Sequence, residues 1–313
     1  MKEYKNGTFY EGLPLEFSLG GIRCRALRIS FETYHQPIPS HSHSSNGWEL
    51  HLVSGGKGRI TLNGRACGVT TGSFFVTGPH VEHSHISDPS DPISEFCVYL
   101  KIELPKPLGS KKREIPAFLQ LFLETPYWLG PDSQLLRPVM EQLLKELDSR
   151  KTGYLTQCVS LLRQLLVLAA RCYENGIDRK GKMQRKESRQ LPNSLPSEGL
   201  PFPEQNYSLI EELFLYGYRE LTLEDLASQL GLSPRQTERL LRAQYGKSFR
   251  QKKNDAKMSA ALLLLEEDGR SITETALALG YSSPEHFSAA FRRYFGLSPR
   301  SWKKQHASSL QIF

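Results

Sequence analysis

The sequence lacks the long apolar segments that would place it in a membrane or direct it out of the cell. A spanning helix needs a run of roughly 18 apolar residues, but the most apolar stretch, residues 161–170, already contains Arg163 and Gln164. The first residues, Met1–Gly7, hold no apolar run of the kind found in a signal peptide. These absences predict a cytoplasmic protein with no membrane partner.

Cysteine is also scarce, and its five copies are scattered, odd in number and without a CxxC pair. This usage argues against a disulfide framework or a zinc finger and favours reduced thiols. No Ser-His-Asp pattern, Walker loop or GxGxxG motif occurs in a suitable strand–helix context, and the run Gly55–Gly58 is predicted to be a hairpin turn. The sequence therefore predicts no enzyme and no cofactor.

Acidic residues are outnumbered by basic ones, since 40 Lys and Arg stand against 33 Asp and Glu and give a net charge of +7. A basic balance suits a polyanionic partner such as nucleic acid, although many basic proteins bind none, so charge alone is a weak signal. At 313 residues the chain is long enough for two domains with separate cores.

Short apolar runs broken by Gly, Pro and Ser extend from about Phe17 to Ile102. Several alternate with polar residues, which is the pattern of half-buried antiparallel strands. The predicted strands are Arg25–Phe31, Trp48–Val53, Gly58–Leu62, Ser73–Val76 and Phe96–Ile102. Asn63-Gly64 is a good hairpin turn, because both residues accept positive φ. Many short strands with frequent turns predict a sandwich or a barrel.

A helical period begins at about Ile115. Apolar residues three and four apart predict one helix over Leu135–Leu147 and a second over Leu155–Ala169. The buried faces would consist of Leu135, Leu136, Val139, Leu143, Leu144 and Leu147, and of Leu155, Val159, Leu162, Leu165, Leu166 and Ala169. These helices could cover the strands and form a dimer contact, or simply pack within one subunit, and the sequence leaves both open.

Residues 177–205 are predicted to be a linker between an N-terminal domain of residues 1–176 and a C-terminal domain of residues 206–313. Basic residues come first, from Arg179 to Arg189, and four prolines with Gly and Ser follow. Such a segment has too little apolar surface to offset the entropy of ordering it. A solvated tether is favoured over a segment that contacts DNA phosphates.

The C-terminal domain contains a helix–turn–helix pattern that starts at Leu221. Thr222 can cap the first helix, and Gly231 can end it in the left-handed conformation. Ser233 then caps a second helix, with Pro234 at its first position and Gln236 completing a capping box. This spacing is what a recognition helix in the major groove requires.

The outer side of this second helix carries side chains suited to DNA. They are Arg235, Gln236, Glu238, Arg239 and Arg242. Arginine can bond bidentately to guanine and Gln can read adenine in a similar way. Arg250, Lys252, Lys253 and Lys257 follow and could neutralise phosphates.

The pattern then recurs about 50 residues later. A short helix with small residues ends at Gly280, and Ser283-Pro284 opens the next helix, with Phe287, Phe291 and Phe295 or Tyr294 as its apolar side. A generic all-α bundle would explain one such pair about as well, but two capped copies leave that alternative weak.

At these residues the chain resembles the AraC/XylS family of bacterial transcription regulators, over residues 206–306. The family signature lies across Ala276, Gly280, Tyr281, Phe287, Phe291, Gly296, Ser298, Pro299 and Trp302. The resemblance implies that Arg235, Gln236, Glu238 and Arg239 meet bases in the first recognition helix. It implies the same for Pro284, Glu285 and Ser288 in the second.

The chain departs from the family pattern at three positions, where Thr275, Lys252 and Ala289 stand in place of the usual Ile, Tyr and Arg. Without a long basic side chain at position 289, the second helix is expected to anchor the protein on phosphates through Arg292 and Arg293. The first helix is then expected to carry most of the base discrimination.

Seven of the nine histidines lie in the strand-rich region. Imidazoles and a carboxylate converging inside a small barrel make a plausible divalent-metal site. The arrangement also resembles a cupin, and metal-binding cupins would use His41, His43, Glu49 and His83, although Glu49 lies slightly farther from the HxH pair than usual. The resemblance to AraC-type regulators implies instead a small effector, often a sugar, and no metal. The expected effector-binding residues are Arg25, His41, His43, Glu49 and His83. Arg23, Trp48, Tyr99 and Trp128 are weaker candidates.

The sequence thus predicts an α+β protein: an N-terminal cupin-like β-barrel with two helices, then an all-α double helix-turn-helix domain. The expected function is sequence-specific binding of double-stranded promoter or operator DNA under control of a small molecule. RNA polymerase and a second copy of the chain are further candidate partners. Two alternatives stay open: a metal-dependent cupin enzyme fused to a DNA-binding domain, and a constitutive DNA-binding protein whose β domain only dimerises.

Overall fold

The computed structural model describes residues 7–35, 37–44, 46–103, 115–175, 205–266 and 270–306. Contacts group the chain into two compact units, which are treated separately below. The predicted linker lies outside the described residues except for Gln205, at which a helix begins.

Most of the strands precede the first helix along the chain. The strands are Thr8–Glu11 (β1), Glu16–Leu19 (β2), Ile22–Thr33 (β3), Ile38–His41 (β4), Gly47–Gly55 (β5), Lys57–Leu62 (β6), Arg65–Thr70 (β7), Ser73–Thr77 (β8), His83–Ser87 (β9), Ser94–Glu103 (β10) and Tyr127–Pro131 (β11). The helices among and after them are Ala117–Glu124 (α1), Leu136–Ser149 (α2) and Tyr154–Asn175 (α3). All five predicted strands are confirmed, each within a few residues of its expected ends.

The strands form two antiparallel sheets. One has the order β1-β3-β10-β5-β8-β11, with β2 also paired to β3, and the other has the order β4-β9-β6-β7. The expected cupin-like β domain is confirmed, with its strands arranged as two sheets and not as one closed barrel. We call these sheets, with α1 to α3, the β domain.

The turns of the β domain separate a correct prediction from a wrong one. Asn63 and Gly64 have φ of 46° and 79° and join β6 to β7 as a hairpin, as predicted. Gly55–Gly58 is not a hairpin, because β5 and β6 belong to different sheets. A Cβ on Gly56 would lie 2.0 Å from the carbonyl oxygen of Pro92. Glycine is needed there because another backbone segment passes so close.

The two predicted helices are observed as α2 and α3, and the buried face of α3 includes Leu162, Leu165, Leu166 and Ala169. Leu135 was wrongly placed on the buried face of α2, since its side chain is 71% exposed. The carboxylate of Asp132 instead accepts hydrogen bonds from the first backbone amides of α2, those of Leu136 and Arg137. The sequence reasoning missed α1 and β11.

Within α3, residues Tyr154–Glu174 have the length and apolar composition of a membrane span, with a mean hydropathy of 1.2. The same features suit a core helix of a soluble protein, and the buried residues of α3 belong to the cluster that includes β5 and β10. The burial accounts for the apolar composition without a membrane.

Strand β5 shows how the larger sheet separates two environments. Successive side chains of a strand point to opposite faces. Trp48, Leu50 and Leu52 join the apolar cluster that contains α1 to α3. Glu49 and His51 alternate with them and therefore lie on the other face of the sheet.

From Gln205 onward the described residues form helices joined by turns, and we call residues 205–306 the C-terminal domain. Its helices are Gln205–Tyr216 (α4), Leu223–Leu230 (α5), Pro234–Tyr245 (α6), Phe249–Glu266 (α7), Ile272–Ala278 (α8), Pro284–Phe295 (α9) and Pro299–His306 (α10). Helices α5 and α6 form the first helix-turn-helix unit, and α8 and α9 form the second.

The predicted helix signals of the first unit are confirmed. Thr222 and Asp225 form a capping box at the start of α5, and Gly231 ends that helix with φ of 64°. Ser233 and Gln236 form a second capping box at the start of α6, and Pro234 occupies the first helical position between them. Local sequence therefore determines both helix ends and the turn between them.

The second helix-turn-helix unit repeats this plan with one extra residue in its turn. Ser271 and Glu274 form the capping box of α8, and Ser283 caps α9 before Pro284. Gly280 has φ of 73°. The turn from Gly231 to Ser233 has one intervening residue, whereas the turn from Gly280 to Ser283 has two. Phe287 and Phe291 are buried, and Tyr294 is 42% exposed, so Phe295 is the third apolar residue of α9.

The helix that follows each unit is tied back to it in the same way. Lys253 in α7 donates a hydrogen bond of 2.6 Å to the carbonyl oxygen of Leu221. Lys303 in α10 donates one of 2.6 Å to the carbonyl oxygen of Arg270. Each acceptor directly precedes the residue that caps the first helix of its unit. Lys253, which was considered for DNA phosphates, therefore holds the repeat together.

The residue before each of these lysines differs between the copies. Trp302 is a buried apolar residue, but the corresponding residue of α7 is Lys252. The ammonium of Lys252 lies 3.9 Å from the ring centre of Tyr245 and 5.2 Å from that of Phe214. Burial lowers the pKa of Lys252 to about 8. An aromatic slot thus holds a partly desolvated cation.

We expect Lys252→Met to raise the free energy of unfolding of the C-terminal domain at pH 7 by about 1–3 kcal/mol, because the buried charge is removed. The folded-state pKa lies below the unfolded value, so the penalty is fully present below pH 8 and is relieved as pH rises from about 8 to 10.5. Urea unfolding of the full chain across this range measures the difference between variant and wild type. Lys304→Met, at an exposed position, is the control. If the difference in free energy of unfolding between Lys252→Met and wild type does not narrow above pH 8, Lys252 does not carry a desolvated charge.

Candidate functional site

The face of the larger sheet that carries Glu49 holds a buried cluster of imidazoles and carboxylates. Strand β5 contributes Glu49 and His51, β9 contributes His83 and His85, and β10 contributes Glu95. His43 lies between β4 and β5. The members other than Glu49 are at most 3% exposed, and the Glu49 side chain is 12% exposed. So many polar groups are buried together only where they satisfy one another or hold a ligand.

One oxygen of Glu49 is the centre of the outer part of this cluster. Its Oε2 lies 2.7 Å from Nε2 of His43, 3.0 Å from Nε2 of His51 and 3.3 Å from Nε2 of His83. The ring of Tyr99 packs against His43 at a centroid distance of 4.7 Å. Although burial opposes ionisation, His43 and His51 hold the pKa of the Glu49 carboxyl well below its usual value.

A second carboxylate, Glu95, is the centre of the inner part. Its Oε1 lies 3.0 Å from Nδ1 of His51 and 3.7 Å from Nδ1 of His85, and it accepts a hydrogen bond of 3.1 Å from the hydroxyl of Tyr34. Burial opposes ionisation here too, but His85 and His51 lower the pKa of Glu95. Burial lowers the pKa of His85 to about 4, so this ring is neutral near pH 7.

His51 connects the two carboxylates. Its two ring nitrogens face Glu49 and Glu95. The ring stacks on Phe75 with a centroid distance of 4.3 Å and an interplanar angle of 5°. Burial alone would lower the pKa of His51, but Cys97, Glu95 and Glu49 raise it well above its usual value. An imidazolium with both N–H groups donating is the state that this geometry stabilises.

Backbone carbonyls orient two further rings of the cluster. Nδ1 of His83 lies 3.0 Å from the carbonyl oxygen of Val81, and Nδ1 of His41 lies 2.9 Å from that of Pro39. A carbonyl can only accept, so each Nδ1 is the donor, and in the neutral ring Nε2 then carries the lone pair. Such a carbonyl contact is the usual way in which a protein prepares a histidine as a ligand.

Three groups of these side chains have potential ligand atoms within 4.8 Å of one another. They are His41, His43, Glu49 and His83; His51, His83 and His85; and Glu49, His51 and Cys97. Spacing of this size suits a single ion or water better than a sugar ring inserted between the donors. A larger ligand would have to approach from the exposed side of Glu49.

The second candidate site is the outer surface of α6. Arg235, Gln236, Arg239 and Arg242 are all exposed. The carboxylate of Glu238, by contrast, is used inside the protein: Oε2 accepts a hydrogen bond of 3.0 Å from the backbone amide of Phe249, the first residue of α7, and Oε1 pairs with Arg242. Gln236 also has an internal role, because its Oε1 accepts from the Ser233 amide at 3.0 Å.

The corresponding surface of α9 is less basic. Glu285, Ala289, Arg292 and Arg293 are exposed, and Pro284 and Ser288 are half-buried. Both arginines lie in the last turn of the helix, whereas Glu285 lies in the first. The end of the helix that would approach base edges thus carries an acidic and not a basic side chain.

Comparison with known proteins assigns both sites to recognised domains. The sequence profile of the AraC-like ligand binding domain matches residues 28–166, which include the buried cluster. The profile of a helix-turn-helix domain matches residues 226–305, which include both units apart from the start of α5.

The chain belongs to the AraC family of transcription regulators. The HTH-type transcriptional activator RhaS of Pectobacterium atrosepticum is 26% identical over 301 residues, or 90% of this chain and 94% of RhaS. The HTH-type transcriptional regulator GlxA of Rhizobium meliloti is 38% identical over 90 residues, or 29% of this chain and 28% of GlxA. The match therefore covers less than two thirds of GlxA.

Solved structures of AraC-type proteins give a weaker likeness. A transcriptional regulator from Chromobacterium violaceum with an AraC-type DNA-binding domain is 33% identical, over 30% of this chain and 80% of that chain, with a TM-score of 0.27. A TM-score that low supports no argument about the fold.

The structure of this AraC-family chain brings together four of its five predicted effector residues. His41, His43, Glu49 and His83 form one group, while the guanidinium of Arg25 lies 3.2 Å from Glu16 on β2 and is not a member. Among the weaker candidates, Tyr99 adjoins the cluster. Trp48 and Trp128 belong to or pack against the apolar core on the opposite face, and Arg23 pairs with Glu103.

Sequence reasoning missed Glu95 and Tyr34. Glu95 directly precedes the predicted apolar strand Phe96–Ile102, and a carboxylate at a strand end is usually solvated. The available signal was its alternation with Phe96, which places it on the same face as Cys97 and Tyr99. His51 and His85 are among the seven histidines of the strand-rich region but were not among the predicted site residues, although they connect and complete the cluster.

We expect Glu238→Ala to lower the free energy of unfolding of the C-terminal domain by about 1–2 kcal/mol, because the amide of Phe249 loses a charged acceptor. Arg239→Ala, one residue away and exposed, should change it by less than about 0.5 kcal/mol. Hydrogen exchange at the α6–α7 amides of the full chain measures both. Equal protection in the two variants would show that Glu238 has no structural role.

Proposed function

We propose that this chain is a sequence-specific transcription regulator that binds double-stranded promoter or operator DNA and responds to a small-molecule effector. The observation that supports the proposal best is the pairing of two capped helix-turn-helix units with a buried, ligand-ready cluster in a matched effector domain. Family membership favours a non-enzymatic role, since the relatives named above are regulators.

The DNA reading is asymmetric in this proposal. Three exposed arginines of α6, with the remaining amide donors of Gln236, supply base and phosphate contacts. Glu238 is withdrawn from that list of base readers, because both of its oxygens have partners inside the protein. Helix α9 contributes Arg292 and Arg293 to phosphates and has only Glu285 and Ser288 toward bases.

The effector is proposed to contact the outer part of the cluster. Glu49 and His41 are both partly exposed, and His43 and Tyr99 lie beside them, so that the group offers donors and acceptors. This chemistry fits hydroxyl groups, so a carbohydrate or another polyhydroxylated metabolite is the proposed class. Coupling to DNA requires that the effector bind one conformation or oligomeric state better than another.

A metal-dependent cupin enzyme is the second candidate, and the compactness of the His41, His43, Glu49 and His83 group favours it. Three imidazoles and one carboxylate fit a divalent transition metal, which would supply Lewis-acid chemistry when bound. Stoichiometric metal that depends on His41, together with turnover, would favour this candidate over the effector site.

The setting of the protein is proposed as the bacterial cytoplasm. All five cysteines are unpaired thiols in the structure, and four of them are buried, which suits a reducing compartment. A homodimer and a contact with RNA polymerase are further proposals. Two helix-turn-helix units in one chain could occupy successive major grooves, so DNA geometry does not demand a dimer.

We expect Arg239→Ala to relax base preference and to lower specific affinity by about 1–3 kcal/mol on a panel of operator variants. Glu285→Ala should leave the order of preference unchanged, because α9 mainly anchors the protein. Fluorescence anisotropy at fixed salt measures both variants. The assignment of the two helices is wrong if Glu285→Ala relaxes preference and Arg239→Ala does not.

We expect a thermal-shift screen of sugars and related metabolites to yield a ligand that raises the melting temperature of the full chain. Glu49→Gln should reduce that shift, because the carboxylate is a partly exposed acceptor at the centre of the site. Glu82→Gln, at an exposed position, should not. The same ligand should change DNA affinity in the wild type. If no compound shifts the melting temperature and DNA affinity stays constant throughout, the sensing proposal fails.

A further inference from the structure

Next to the proposed effector site, three residues of the inner part of the cluster lie beside His83 of the outer part. They are His51, His85 and Glu95. Their exposed fractions are at most 3%. The larger sheet contributes His51 and Glu95, and the smaller sheet contributes His83 and His85 through β9. Solvent therefore cannot satisfy these groups, and whatever completes their hydrogen bonding must itself be buried.

Several polar atoms here lack a hydrogen-bond partner among the described residues. Both ring nitrogens of His85 and Oε2 of Glu95 are of this kind. Nδ1 of His85 lies 3.7 Å from Oε1 of Glu95, the other oxygen of that carboxylate, which is too long for a hydrogen bond. A buried imidazole with no partner on either nitrogen is rare in a folded protein and calls for a bound ion or water.

The charges of the cluster favour a cation over a water. Glu49 and Glu95 are both buried, and the ion pairs that they form within the described residues are all with imidazoles. Two buried carboxylates need roughly two positive charges nearby to offset the cost of desolvating them. Protons on the rings could provide that charge, and a single divalent ion could provide it as well.

The geometry of the rings points to a metal ion. One ligand atom from each of His51, His83 and His85 lies within 4.8 Å of the others, while donors on a tetrahedral zinc ion are about 3.4 Å apart. Small side-chain rotations would close that difference. His83 and His51 are already oriented through Nδ1, by the carbonyl of Val81 and by the carboxylate of Glu95. An ion bound at Nε2 of His51 would take the place of the proton that this nitrogen otherwise directs at Glu49. Carboxylate–histidine contacts of this kind support metal ligands in general.

We propose that His51, His83 and His85, with Glu95 beside them, form a structural site for one divalent transition metal ion such as Zn²⁺, buried between the two sheets. The site is distinct from the His41, His43, Glu49 and His83 group but shares His83 with it. A metal held there would fix the orientation of His83 and, through His51, of Glu49. It would thereby preorganise the outer site for its effector.

The test uses the untagged full chain, purified without chelators, with metal content measured by mass spectrometry. The apo protein is then titrated with Co²⁺, and the visible ligand-field bands report coordination independently of any activity. Wild type should hold about one ion per chain, and His85→Gln should weaken its binding by about 100-fold or more. Glu95→Gln, which keeps the side-chain shape, should weaken it by about 10–100-fold.

Two variants serve as controls. His41→Gln removes a residue of the outer group only, and His35→Gln removes an exposed histidine outside all three groups; both should retain the metal. Circular dichroism establishes folding, and Glu95→Gln keeps the test decisive if His85→Gln does not fold. Absence of stoichiometric metal in the wild type, retention of it in the folded His85→Gln or Glu95→Gln variants, or its loss in His41→Gln would overturn the proposal. A chain that binds operator DNA but no metal would overturn this inference alone.

Discussion

Two carboxylates, Glu49 and Glu95, are buried between the sheets of the β domain, and imidazole rings are their ion-pair partners. A buried, uncompensated carboxylate would cost several kcal/mol, so the positions of the rings are tightly constrained. His51 meets that constraint by facing one carboxylate with each nitrogen. The ring of His51 also stacks on Phe75, which helps to hold it in that orientation.

The period-two alternation of β5 makes this possible without disturbing the core. Its even-numbered residues pack with the helices, and its odd-numbered residues Glu49 and His51 carry the polar chemistry. The helices thus stabilise one face of the larger sheet while the other face is left for ligands. A functional site placed on a rigid strand in this way is held more precisely than one placed on a loop.

The C-terminal domain is under a different constraint, because a recognition helix must expose its polar side chains while its ends stay fixed. Capping boxes at Thr222, Ser233 and Ser271 fix helix starts, and the lysine contacts to Leu221 and Arg270 join each following helix to its unit. The two copies share this frame and differ in detail. Glu238 accepts a hydrogen bond from the amide of Phe249, and its counterpart in the second copy is Ser288. Lys252 lies over an aromatic ring, whereas its counterpart Trp302 is a buried apolar residue.

Much of this could be predicted from the sequence, for local reasons. Helix caps, the Asn63-Gly64 hairpin, the buried stripes of α2 and α3 and the duplicated units depend on neighbouring residues, so short patterns suffice. The strand β9 was missed because His83-Ser84-His85 resembles an exposed loop, and only the facing sheet makes those residues buried. Gly56 was misjudged because the strands on its two sides belong to different sheets, which no local pattern records.

By itself, the sequence determined the two helix-turn-helix units, the strand-rich N-terminal region and four members of the histidine–glutamate cluster. Only the tertiary structure decided that Glu95 and Tyr34 complete the cluster, that Arg25 pairs with Glu16 outside it, and that Glu238 anchors α7. The physical reason is the same in each case. A side chain's role is set by which groups lie within hydrogen-bond distance, and for these residues the partners are distant in sequence or in another element of the fold.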